Sequence, residues 1–153
     1  MINKQSNVYT IAYITIMVIV VGAVLAFTSM ALKERQEENA QADKKSQILQ
    51  AVHIATTRSS VIADFDKYIV SQLVVNDKGE EVGSQDAFTI DVAAEAQKPA
   101  DQRLLPVYIC KLPDAGTKYI LPLAGMGLWG PIWGYVAFDD DGSTIYGAFF
   151  DHQ

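Results

Sequence analysis

Apolar positions in this chain fall into one long uninterrupted run followed by shorter, punctuated ones. From Val8 to Leu32, 25 consecutive residues carry no charge. As a helix rising about 1.5 Å per residue, the run reaches roughly 37 Å, enough to cross a hydrocarbon layer about 30 Å thick with some tilt. A cleaved signal peptide competes with this reading, because Ser29-Met30-Ala31 is an acceptable small-x-small cleavage site. The run is about twice the length of a signal h-region, however, and Lys4 is the only basic residue before it. An uncleaved transmembrane helix over 8–32 is therefore expected after a short tail, 1–7, with Tyr9 and Tyr13 suited to the membrane–water interface.

Lys33 to Val52 contains no Gly or Pro and is rich in helix formers, which predicts that the helix continues into water as a charged, solvated stem over 33–52. Such a stem would set the remaining domain, 53–153, off the membrane. In that domain the pattern predicts a short helix capped by Ser59 or Ser60, with Ile62, Phe65 and Ile69 on one face. A strand from Ile69 to Val75 and a turn at Asn76-Asp-Lys-Gly follow. Phe88, Ile90 and Val92 alternate with Thr89 and Asp91 as in a half-buried strand. Ala93 to Arg103, interrupted by Pro99, reads as a polar surface connection. Leu104 to Leu112 is an apolar, strand-like run, and three further short strands are expected at Tyr119–Leu123, Ile132–Phe138 and Thr144–Phe149.

Charge and cysteine usage narrow the chemistry. All 18 acidic residues and 11 of the 12 basic ones lie beyond Leu32, so that part is net negative and lacks the basic face nucleic acid requires. Cys110 is the only cysteine, which excludes an internal disulfide and a Cys-rich metal site; it reads as a small buried hydrophobe. Asp139, Asp140 and Asp141 are adjacent and lie between two strands, so they read as a hairpin turn rather than a calcium loop, whose ligands alternate. His53 and His152 have no ligand spacing to a partner, and no metal site is expected. No Ser/His/Asp arrangement, P-loop or Rossmann fingerprint occurs, and no catalytic residue is assigned.

Between the first two of the three last strands, Gly125, Gly127, Gly130 and Gly134 sit beside Trp129 and Trp133. Glycines let backbone approach a ligand closely and tryptophans offer flat faces, a combination suited to a planar aromatic ligand such as a flavin. The alternative is a tight loop with glycines at positive φ and tryptophans folded into the core. On residues alone the alternative is favoured, since such a loop has no unique chemistry.

Two stretches change that weighting. Ile120-Leu-Pro-Leu-Ala-Gly-Met-Gly-Leu-Trp129, followed by Tyr135-Val-Ala-Phe-Asp-Asp-Asp-Gly-Ser-Thr-Ile145, resembles the C subunit of the sodium-translocating NADH:quinone oxidoreductase. Arg35-Gln-Glu-Glu-Asn39 with Asp43-Lys-Lys-Ser-Gln-Ile-Leu49 resembles the segment after the membrane helix of the same family. The resemblance implies an α+β fold: one membrane helix and a stem, then an extracytoplasmic domain of the FMN-binding type, incomplete within these residues. It also implies an FMN electron carrier, with Gly125, Gly127, Leu128 and Trp129 near the flavin, other subunits of the reductase and the lipid bilayer as partners, and a single-pass place in a bacterial inner membrane.

The family attaches FMN to a threonine in a Ser-Gly-Ala-Thr motif, and a Gly-Glu-Thr-Pro-Gly-Leu-Gly element belongs just after Gln153; neither occurs here, so no covalent flavin is expected on these residues. Lys33, Arg35, Lys44 and Lys45 after the span, against Lys4 before it, favour a cytoplasmic domain. The family implies the periplasmic side, and interleaved acids together with ready export of large domains make that the expectation. Two further readings stay open: the G subunit of the Rnf electron-transport complex, which shares the flavin attachment, and a cofactor-free anchored module that binds or scaffolds a membrane partner. Arg35-Gln-Glu-Glu-Asn39 and Gly127-Leu-Trp129 favour the sodium pump.

Overall fold

The computed structural model describes residues 7–83 and 86–152. The chain forms two compact units that divide between Gln41 and Ala42. In the first, helix α1 (Asn7–Gln50) carries the uncharged run; its most apolar window has a mean hydropathy of 2.5 and none of it is buried. That makes α1 a candidate membrane span. Past the run, Lys33 and Glu37 pair at i, i+4 on the exposed helix surface.

The second unit is an antiparallel sheet with short helices. The last turns of α1 lead to α2 (Val61–Tyr68), β1 (Ile69–Val75), α3 (Val92–Ala96), β2 (Leu105–Leu112), β3 (Gly116–Met126), β4 (Pro131–Phe138) and β5 (Ile145–His152). The strands lie in the order β1-β2-β3-β4-β5, each antiparallel to the next. The expected β3, β4 and β5 are present with longer bounds, and the architecture is α+β.

One row of side chains explains how the end of α1 meets this sheet. Tyr108 pairs with Ile120, Ile120 with Ala137, and Ala137 with Gly147, so the row tapers towards β5. A Cβ on Gly147 would collide with the carbonyl oxygen of Ala51 and lie 2.8 Å from His53 Nε2. The missing side chain thus gives the end of α1 its seat. That end is closed by His53, the one non-glycine at positive φ among the described residues (φ 62°). Ile54 N–H donates to Leu49 O at 3.0 Å and His53 N–H to Gln50 O at 3.0 Å, the paired bonds of a Schellman closure with His53 in the left-handed position. Its ring meets Tyr146 at 5.4 Å between centroids, and Nε2 lies 3.2 Å from Tyr146 O.

Three expectations are corrected. The stem is not solvated throughout: Ile48 and Leu49 are wholly buried with Ala51 and Val52 in the core, because only the exposed face of those turns is polar. Residues 88–92 are not a strand. Asp86 accepts from Phe88 N–H and Asp91 from Ala93 and Ala94 N–H, and these side-chain acceptors turn the backbone into a 3₁₀ turn (Ala87–Thr89) and α3. In α2, Val61 and Phe65 are buried whereas Ile62 is 57% exposed, and Ser60 occupies the cap position without a side-chain cap bond.

Two polar groups on the core face, Tyr108 and Lys118, are paired. Tyr108 Oη donates to Ala87 O at 3.1 Å, and burial raises its phenol pKa. Tyr135 is pushed by burial to about 12 and the Cys110 thiol to about 11. Lys118, nearly buried, is held by Asp139 at 2.7 Å and Ala115 O, with Nζ 4.6 Å from the centre of the Tyr146 ring.

Candidate functional site

The glycine-rich stretch forms the β3–β4 hairpin end. Gly127 N–H donates to Gly130 O at 2.8 Å, closing a turn whose tip is Leu128 and Trp129. Both tip side chains are almost fully exposed, 90% and 95%, and Met126 beside them is 82% exposed. Trp129 is therefore not folded into the core, and none of the four glycines has positive φ; the glycines at positive φ are Gly79, Gly116 and Gly142. Two of them, Gly127 and Gly134, serve close approach instead. A Cβ on Gly127 would lie 2.6 Å from Ile132 Cδ1, and one on Gly134 would lie 2.5 Å from Phe150 Cδ1. Gly134 lets the Phe150 ring lie across the sheet.

Behind the tip, Leu123, Ala124, Gly125, Met126, Ile132, Trp133 and Phe150 line an apolar groove of about 280 Å³. Its lining holds no cationic side chain. Of the four residues singled out from sequence, Gly125 lines the groove, and Gly127, Leu128 and Trp129 form the turn at its mouth. Leu123, Ile132 and Phe150 were missed. A signal was present, because Tyr119 to Leu123 holds no polar position on either phase of the strand, as in a sheet that is apolar on both faces.

The three acids form the β4–β5 turn. Asp141 accepts from Thr144 Oγ1 at 2.6 Å and from the Thr144 and Ser143 N–H groups, and Gly142 takes positive φ. Those bonds, the Thr144 hydroxyl first, hold the Asp141 carboxyl well below the usual carboxylate range. Among the described residues no group of His, Cys, Asp or Glu is arranged to hold a metal ion.

These features define a class: an α+β domain on a chain bearing one candidate membrane span, with an exposed glycine–tryptophan hairpin beside an apolar groove. No family model matches the chain. The C subunit of the Na(+)-translocating NADH-quinone reductase of Vibrio vulnificus (strain YJ016) is 28% identical over 169 residues, covering 100% of this chain and 66% of the relative. Its Haemophilus ducreyi counterpart is 29% identical over 167 residues, covering 99% and 65%. The crystal structure of the same protein from Parabacteroides distasonis matches with a TM-score of 0.72 and 38% identity, covering 80% of this chain and 58% of that one. The Shewanella oneidensis NqrC structure, 22% identical with a TM-score of 0.60, shares the fold. This chain is a homologue of the C subunit of the Na(+)-translocating NADH-quinone reductase. It spans about two thirds of the length of the curated relatives.

Proposed function

We propose that this chain acts as the electron-carrier subunit of a membrane NADH:quinone reductase that couples electron transfer to sodium export, with FMN as the carrier and the domain outside the cytoplasm. The observation that carries the reading is the exposed Leu128–Trp129 tip beside an apolar groove, on a chain homologous to the C subunit of that enzyme. Bound FMN would supply the acceptance and release of electrons.

The groove fits the isoalloxazine ring, since its walls are apolar and Gly125 leaves room for close approach. Leu128 and Trp129 would close over the ring and exclude water. With no Lys or Arg in the lining, the groove gives the phosphate no cationic partner. Nor does a Ser-Gly-Ala-Thr tetrapeptide occur among these residues, so covalent attachment by that motif is not expected on them.

Co-expression with the other subunits of such a reductase tests the reading. The chain should co-purify with them from detergent-solubilised membranes, and its omission should abolish sodium-dependent quinone reduction by NADH. A chain that extracts alone, with reductase activity unchanged by its omission, favours the cofactor-free anchored module.

A further inference from the structure

Asp141–Gly142 is the one place in the chain where an Asp or Asn precedes a glycine. With no side chain on Gly142, nothing shields its backbone nitrogen from the Asp141 carboxyl. Attack of that nitrogen on Cγ of the protonated carboxyl closes a five-membered succinimide and expels water. Water then returns at the former main-chain carbonyl, so the chain runs on through Cγ and the old carbonyl becomes the free carboxylate. The product is isoaspartate, with one methylene added to the backbone; one water leaves, one enters, and no oxidant is needed.

The folded turn withholds both reacting groups, although all of 140–145 is exposed and burial gives no shelter. Gly142 N–H donates to Asp139 O at 3.0 Å. The Asp141 carboxyl is drawn past Gly142 onto the next two residues. Oδ1 accepts from Ser143 N–H at 2.9 Å and from Thr144 N–H at 2.8 Å, and Oδ2 accepts from Thr144 Oγ1 at 2.6 Å. Donors on both oxygens favour the ionised carboxyl, whose Cγ is a poor electrophile. Only the Thr144 hydroxyl engages Oδ2, so it completes the lock.

The turn also guards a buried charge. Asp139 N–H donates to Thr144 O at 2.8 Å, and Asp139 Oδ1 holds Lys118 at 2.7 Å. Lys118 is the one buried lysine among the described residues. An extra methylene between Asp139 and Thr144 spoils the closing bond of the turn and moves the counter-ion of that lysine, and a buried cation that loses its partner is destabilising.

We propose that Asp141 is a latent isoaspartate-forming site, kept silent in the folded chain by the hydroxyl of Thr144, and that its conversion loosens the seat of Lys118. The test incubates the full chain at neutral pH, folded in detergent or unfolded in urea, and follows isoaspartate at 141 by electron-transfer fragmentation of the proteolysed chain. The folded wild type should convert about tenfold more slowly, or slower still, than the unfolded chain. Thr144→Val, which keeps the side-chain shape and removes the hydroxyl, should raise the folded rate about fivefold, whereas Thr144→Ser should match the wild type. Equal rates in the folded and unfolded wild type overturn the proposal. So does a Thr144→Val rate equal to that of the wild type, or a Thr144→Ser rate equal to that of Thr144→Val. Chains already converted at 141 should melt below unconverted ones, and an unchanged melting temperature overturns the link to Lys118.

Discussion

Leu49→Ala measures whether the end of the long helix belongs to the domain. Leu49 is wholly buried at the close of α1, among Ile48, Val52 and the core face of the sheet, and its carbonyl accepts the bond that closes the helix. Truncation removes the transfer free energy of the lost carbons and leaves a cavity, which costs about 3–4 kcal/mol at a site with little room to collapse. Because the backbone bond to Ile54 N–H is untouched, the loss is one of packing alone. For a domain of this size, about 3 kcal/mol lowers the melting temperature by roughly 10–20 °C. The assay is thermal unfolding of the detergent-solubilised chain followed by near-ultraviolet circular dichroism, with Glu38→Ala on the exposed part of α1 as the comparison. Surface substitutions stay within about 0.5 kcal/mol. A Leu49→Ala protein as stable as Glu38→Ala would refute the claim that the last turns of the helix are core.

Gly147→Ala is expected to destabilise by about 2 kcal/mol or more, since its Cβ meets a backbone carbonyl that cannot move aside without shifting the end of α1; chemical denaturation should show it, and a neutral outcome would mean that this end sits further from β5. Asp141 has a folded pKa lowered beneath its unfolded value near 3.9, so its contribution is present above about pH 4 and is lost as pH falls. Acid unfolding of Asp141→Asn should therefore be less steep below pH 4 than that of the wild type, and parallel curves would show that the turn bonds do not favour the ionised form.

The parts of the fold legible in the sequence were those set by local pattern. The uncharged run shows as 25 residues without a charge, Ile69–Val75 as an apolar run before the Asn76-Asp-Lys-Gly turn, and the three last strands as apolar runs between Gly, Pro or Asp-Gly. What was not legible depends on partners distant in sequence. Leu49 reads as one apolar residue in a charged helix until the sheet is known to lie against it. Phe88, Ile90 and Val92 alternate as a strand does, yet Asp86 and Asp91 cap the backbone at two points and fold the same residues into turns. At the hairpin, Gly127, Leu128 and Trp129 were visible as a motif. On residues alone, close approach and positive φ both ask for glycine, and only the folded backbone, in which none of the four hairpin glycines takes positive φ, separates them.

Because the spatial order of the strands is their order along the chain, the sheet can be assembled in the direction of synthesis. Once β1 and β2 have closed the one long connection, each later strand finds its neighbour across a hairpin of a few residues, where the loss of chain entropy on closure is small. Growth by successive hairpins implies fast late steps and a rate set by the first pairing. At every stage one edge is left growing, so intermediates are short of a single strand rather than wrongly paired.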